Sequence, residues 1–303
     1  MKKILTILFA LFALSVNGSA QTQDEINQAI FDRVYEAVAP KANLPMPELV
    51  VEIAKQFLGT PYVASTLEET PEQLRVFLDK TDCILFVEMC SCFALTVKGL
   101  RIVQALESDV YHFGIPYVKK DKPSYSLLCD NIRNMRYRWG IVDGYSSRIH
   151  YTSEWILQNW ENSLLREYTK ELGEEYEQQF FFMTSHRDRY KQLADTVQFA
   201  KIQEVEQYLN TKAPYYYISQ ERLRKPEVMS QIKSGDIVCF VSKQGNGIDI
   251  AHVSIAYEVD GEMHFIHASY GAKKVIVEPK TLADYATNGI RVCRFNSRLD
   301  QVK

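Results

Sequence analysis

Thr81-Asp82-Cys83-Ile84-Leu85-Phe86 places a cysteine where a helix begins. The residues that follow, 87–95, are largely apolar and contain neither Gly nor Pro, so the run predicts a buried helix. A thiol at a helix N-terminus faces unpaired backbone N–H groups and the positive end of the macrodipole. Both favour the thiolate, the nucleophilic form. Much further along the chain stand Ala251-His252-Val253-Ser254-Ile255 and Phe265-Ile266-His267-Ala268-Ser269, two strand-like runs that each carry a histidine.

Between those runs lies Asp260-Gly261, a two-residue hairpin turn signal flanked by strands over 251–259 and 262–269. Such a turn pairs residues whose numbers sum to 521, so Ser254 faces His267 and His252 faces Ser269. Side chains alternate between faces along a strand, which puts His252 and His267 on one face as diagonal neighbours roughly 6–8 Å apart. Val253, Ile255, Tyr257, Ile266 and Ala268 form the opposite, core-facing side, and His264 falls there too, where it decorates the hairpin. A one-residue slip would separate the histidines.

Outward from these anchors, Ile26, Ile30, Phe31, Val34 and Val38 recur at helical spacing within 21–58. A second helix over 47–57 stops at Leu58-Gly59-Thr60-Pro61. The middle, 97–212, is rich in charge and aromatics, with helical signals at 126–138, 153–162, 174–182 and 197–209. It has no internal repeat or low-complexity linker and reads as an insertion packed on the core, though His112 within it has no supporting context. Strands return at 235–241, 274–277 and 291–295, with a short helix at 282–287. Helices first and an antiparallel sheet afterwards indicate an α+β class.

Of 303 residues, 46% are hydrophobic and 24% charged, as expected of a globular protein. Lys2 and Lys3, an apolar run over 4–16 and Gly18-Ser19-Ala20 before Gln21 have the layout of a secretory signal peptide over 1–20. No cysteine follows it closely enough to carry a lipid anchor. The mature chain 21–303 is expected to be a single domain, with no later stretch long and apolar enough to span a bilayer. Loss of Lys2 and Lys3 leaves 33 basic against 38 acidic residues, a net charge of −5. That balance gives no general attraction for nucleic acid or anionic lipid. Of the six cysteines, Cys90, Cys92, Cys239 and Cys293 sit in apolar runs, where a reduced thiol behaves as a small buried hydrophobe. No CxxC pair occurs, so a structural zinc site is not indicated.

A cysteine nucleophile needs a base, and the base needs a third group to fix its ring. Cys83, His252 and His267 fill those roles. The Cys83 backbone N–H and the Tyr62 hydroxyl, in Thr60-Pro61-Tyr62-Val63, are candidate oxyanion donors. Asp236, in Ser234-Gly235-Asp236, reads as a turn organiser. Leu58-Gly59-Thr60-Pro61-Tyr62, Thr81-Asp82-Cys83, Gly235-Asp236-Ile237-Val238 and the two histidine runs, in that order, resemble the NlpC-type papain-like cell-wall hydrolases. The resemblance implies a papain-like core, with Cys83 as nucleophile, His252 as base and His267 as the polar third residue.

Two departures narrow it. Ile84-Leu85 stands where the family has Ser-Gly, and Ala64-Ser65-Thr66-Leu67-Glu68 replaces its Trp-Gly-Gly. Together with Asp143-Gly144-Tyr145-Ser146-Ser147-Arg148-Ile149-His150-Tyr151-Thr152-Ser153-Glu154-Trp155, these features are similar to an N-acetylmuramoyl-L-alanine amidase-like branch that prefers anhydromuramyl peptides. That likeness implies a peptidoglycan-fragment substrate, a periplasmic or secreted location, and no metal or organic cofactor. Protein partners are left open by the sequence. Arg148 suits a carboxylate or sugar oxygen, while Tyr145, Tyr151 and Trp155 suit a ring face. His150, Glu68 and Asp82 join them as candidate substrate contacts, and Ser153 reads as a helix N-cap. A D-glutamyl stem-peptide endopeptidase, a zinc hydrolase with Cys83, His252 and His267 as ligands, and a non-catalytic wall-binding module remain open alternatives.

Overall fold

A computed structural model describes residues 21–103 and 118–302. The expected leader over 1–20 and His112 lie outside the described residues. Helices α1 (Gln23–Val38) and α2 (Met46–Gln56) precede α3 (Cys83–Val97), which lies at the centre. Asp82 caps α3, its carboxylate accepting from the Leu85 N–H at 3.0 Å. Every residue from Leu85 to Val97 is buried, so α3 lacks a polar face and belongs to the interior. Its polar side chains are satisfied locally or in pairs. Ser91 and Thr96 donate to the Val87 and Cys92 carbonyls, and Glu88 accepts from Arg136 at 2.8 Å.

Helix α1 starts from a capping box of Thr22 and Glu25 and buries Phe31, Val34 and Val38, Phe31 meeting Phe93 of α3. Helix α4 (Tyr125–Arg136) carries Arg136 and also Asn131, which clamps both the Ile102 N–H and the Leu100 carbonyl of β1 (Leu100–Ile102). Strand β1 pairs with β2 (Val118–Lys120). The main sheet is antiparallel and six-stranded. Its strands are β3 (Leu165–Glu167), β6 (Ile237–Val241), β7 (Ile250–Val259), β8 (Glu262–Ser269), β9 (Lys274–Val277) and β10 (Ile290–Phe295), and β4 (Glu174–Tyr176) pairs apart from it with β5 (Tyr215–Tyr217). The spatial order is β3-β10-β6-β7-β8-β9.

Both faces of this sheet are covered. Ile237, Cys239, Val253, Ile255, Ile266 and Ala268 join the cluster that holds α2 and α3. Val238, Phe240, Ala256, Phe265 and Val292 pack against Leu223, Val228 and Leu282 from one-turn helices on the other side. The turn into β6 passes so close to α2 that a Cβ on Gly235 (φ +88°) would sit 2.2 Å from the Pro47 carbonyl oxygen. Asp236 organises that turn as expected, accepting from the Lys233 N–H and pairing with Arg294.

These elements give an α+β architecture. The expected helix at 174–182 is not one: 174–176 is β4, and only Phe182–Ser185 makes a helical turn. Tyr176 and Tyr217 meet across the β4–β5 pair as tilted rings with centroids 5.1 Å apart, a nonlocal contact that overrides local helical preference. Ser153 is likewise not a cap, because helix α5 (Thr152–Glu161) begins one residue earlier. Its backbone N–H is met instead by Asp249, at 2.5 Å, from the loop before β7. The segment 97–212 also supplies β3, the edge strand beside β10, so it is woven into the sheet. All six cysteines are free thiols. No helix among the described residues is long and apolar enough to cross a membrane.

The Glu88–Arg136 pair is nearly dry, with side chains 3% and 6% exposed. Arg136→Met strands the Glu88 carboxylate in the core and should lower unfolding free energy by roughly 3–5 kcal/mol. Adding Glu88→Leu should restore most of that loss in urea titrations; an unchanged midpoint in the single variant would contradict this account.

Candidate active site

The hairpin closes as expected. Asp260 (φ +52°) and Gly261 (φ +85°) form the turn, and Ile255 pairs with Ile266 in the register that sums to 521. His252 and His267 therefore share a face, and His252 Nε2 meets His267 Nδ1 at 2.7 Å. Phe240 stacks on His252, while Phe265 and Tyr285 present their rings to His267. This aromatic box has an electrostatic consequence. Burial, with the charge of His267 adding to it, pushes His252 down to about 3, and burial alone pushes His267 down to about 4. Both imidazoles are neutral at pH 7. The second nitrogen of His267, Nε2, lies 3.2 Å from the Glu278 carboxylate.

Strand β7 reaches the head of α3. The backbone N–H groups of Val253 (the residue next to His252), Ile84 and Cys83 itself each pull the Cys83 thiol toward its ionised form. Those donors favour a thiolate, as the sequence suggests. They are outweighed: burial first, and the Asp82 carboxylate second, push the thiol up to about 12. The resting pair is thus a thiol and a neutral imidazole, a correction to the thiolate expected from the helix start alone. Tyr62 sits beside them, held by its N–H to the Lys273 carbonyl at 2.9 Å. Burial, then Cys83 and Asp82, raise its phenol to about 12, so it remains a donor.

A second group of expected residues gathers around Arg148. Its guanidinium pairs with Glu68 at 3.0 Å and Glu72 at 3.2 Å and lies over the Tyr145 ring. Tyr145 donates to Glu68 at 3.1 Å and packs on His150, whose Nε2 meets the Tyr145 carbonyl. Burial and Arg148 hold His150 well below its usual range, so it too is neutral. Asp82 feels Arg136 and Arg148 through space, yet burial dominates and raises its carboxyl.

Tyr145 and Arg148 are themselves buried, 3% and 7% exposed, so of this group it is Glu68 that reaches solvent, and two further expected contacts are elsewhere. Tyr151 and Trp155 are each 2% exposed, and Tyr151 donates to Glu206 at 2.6 Å inside the core. Their faces are covered by protein and are not offered to a ligand. Sequence reading missed Glu278, Glu72, Tyr285 and Tyr270, the last of which stands edge-on to Tyr62 with 67% exposure. Glu278 was within reach: extending the β8–β9 register by one residue sets it opposite Phe265, on the face of His267.

The depressed imidazoles link stability to pH. Unfolded histidines take up protons below about 6.5, whereas the folded pair resists until pH 3–4. Their contribution is therefore present above pH 6.5 and lost as pH falls. Between pH 7 and 5, wild type should lose up to about 4 kcal/mol more stability than His252→Asn/His267→Asn. Parallel urea titrations of both proteins at the two pH values check this, and equal losses would contradict it.

Residues 52–290 match the family model described as AmiA-like, N-acetylmuramoyl-L-alanine amidase-like. No curated protein matches. Among solved structures, an N-acetylmuramoyl-L-alanine amidase from Bacteroides uniformis is 31% identical, with a TM-score of 0.70 over 82% of this chain and 98% of its own. A Bacteroides fragilis protein provisionally described as a xylanase is 29% identical, with a TM-score of 0.66 over 80% and 98% of the two chains. A Legionella pneumophila protein at 19% identity shares the fold, with a TM-score of 0.63 over 90% and 96%. With the family model spanning most of its length, the chain belongs to the AmiA-like, N-acetylmuramoyl-L-alanine amidase-like family and is an amidase-like hydrolase.

Proposed function

We propose that the protein is an exported cysteine amidase that cuts the bond between N-acetylmuramic acid and L-alanine in soluble peptidoglycan fragments, anhydromuramyl peptides among them. Its core is of the NlpC papain-like kind, with 97–212 as the substrate-shaping insertion. The observation that carries this reading is the hydrogen-bonded His252–His267 pair on a sheet whose strand β7 packs against α3, the helix headed by Cys83. A glycosidase reading, as the xylanase description of one neighbour would suggest, needs a pair of carboxylates across a sugar bond. The carboxylates assembled here, Asp82 and Glu278, are engaged as the cap of α3 and the partner of His267, and the groups left for chemistry are a thiol and an imidazole.

In this mechanism His252 takes the thiol proton as sulfur attacks the lactyl carbonyl of the muramoyl group. A neutral resting pair suits that step, because proton transfer and attack occur together. The tetrahedral oxyanion accepts from the Cys83 backbone N–H and the Tyr62 hydroxyl. Protonated His252 then gives its proton to the departing L-alanine nitrogen, leaving a muramoyl thioester. Water, deprotonated by His252, releases the acyl group and regenerates the thiol. Arg148 is already neutralised by Glu68 and Glu72, so the rim it forms with Tyr145 offers Glu68, with a 38% exposed side chain, to substrate hydroxyls or amines.

Cys83→Ala should abolish turnover while the melting temperature and circular dichroism stay near wild type. Mass spectrometry of digested anhydromuramyl peptides should show release of the whole stem peptide from the sugar. A retained Ala-Glu stub would instead identify a D-glutamyl endopeptidase, and activity in Cys83→Ala would remove the thiol from the mechanism. Tyr62→Phe should lower kcat by roughly 100-fold, the usual cost of one oxyanion donor, with little change in KM.

A further inference from the structure

The His252–His267 pair does not end at His267. Glu278 follows β9 with its N–H bonded to the Phe265 carbonyl at 2.9 Å, so its backbone is locked to the strand that carries His267. Its side chain is buried, one oxygen 3.2 Å from His267 Nε2 and the other accepting from the Lys280 N–H at 3.3 Å. The other titratable group that faces the pair is Tyr285, from the one-turn helix Leu282–Tyr285, while Cys83 heads α3, which packs on β7.

We propose that Glu278 is a positioning residue that sets the order of protons along the two imidazoles and so leaves the Nδ1 lone pair of His252 open to the thiol. The inference rests on reading Cys83 and His252 as nucleophile and base. A carboxylate accepts and cannot donate, so His267 must carry its proton on Nε2. Its Nδ1 is then an acceptor, and the 2.7 Å contact requires His252 to donate from Nε2. A neutral imidazole has a single N–H, which leaves Nδ1 of His252 unprotonated. Without the carboxylate, the reverse order is equally available. His267 would donate from Nδ1, and the proton of His252 would move to Nδ1, where it cannot accept from sulfur.

Nitrogen chemical shifts of the full chain labelled with 15N-histidine test this directly at pH 7. Wild type should show both Nδ1 atoms unprotonated and both Nε2 atoms protonated. Glu278→Leu should mix the two orders and lower kcat on muropeptides by on the order of 100-fold, with KM little changed. Glu278→Gln, whose amide oxygen still accepts, should keep the wild-type order and most of kcat. A protonated Nδ1 on His252 in wild type overturns the proposal, as does Glu278→Leu with wild-type shifts and wild-type kcat. Should Glu278→Leu fail to fold, the wild-type and Glu278→Gln spectra decide. Because the shifts need no substrate, a wild type that cuts no muropeptide defeats the amidase reading while the proton order is still measured.

Discussion

The contact between the head of α3 and strand β7 is the constraint on which the rest of the molecule turns. A helix buried on every side has no freedom to slide, and Asp82 caps its first turn through the Leu85 N–H. Strand β7 packs along that helix through Val253 and Ile255. Successive side chains along β7 point to opposite faces of the sheet, so Val253 packs toward α3 while His252 turns to the aromatic box. Val253 thus joins the interior that holds α3, and His252 joins the rings and the burial that keep it neutral.

Dryness is the second theme. The imidazoles are kept neutral by the same rings that order them, and the thiol is kept protonated by the same burial that orients it. A charged thiolate–imidazolium pair at rest would need solvation that this site withholds. In the proposed mechanism charge develops only as the reaction proceeds, toward the proposed oxyanion donors. The rim around Arg148 follows another rule. There a guanidinium is compensated twice, and the exposed carboxylate rather than the cation faces outward.

Much of this was legible in the chain because the relevant signals are local. Asp260-Gly261 dictated the hairpin register and with it the shared face of His252 and His267. Asp82 and the uninterrupted apolar run announced α3. What escaped depends on partners distant in sequence. Asp249 takes the capping role that Ser153 suggested, and β3 and β4 are strands only because β10 and β5 lie beside them. Tyr151 and Trp155 have the composition of a sugar platform, yet composition does not distinguish an aromatic that lines a site from one that fills a core. Glu278 was missed for a smaller reason: the register that places it was available, but a strand ending before Pro279 gave no cause to extend the pairing.

The hairpin also bears on when the molecule becomes dangerous. Its two histidines are fifteen residues apart and are joined by a tight turn, so only a short closure is needed to pair them. The sulfur is separated from them by more than half the chain and arrives only with the docking of α3, a closure of far higher contact order. On the proposed mechanism, a chain still on its way to the native state holds a base with nothing to activate, and bond-cutting power is born together with the finished interior.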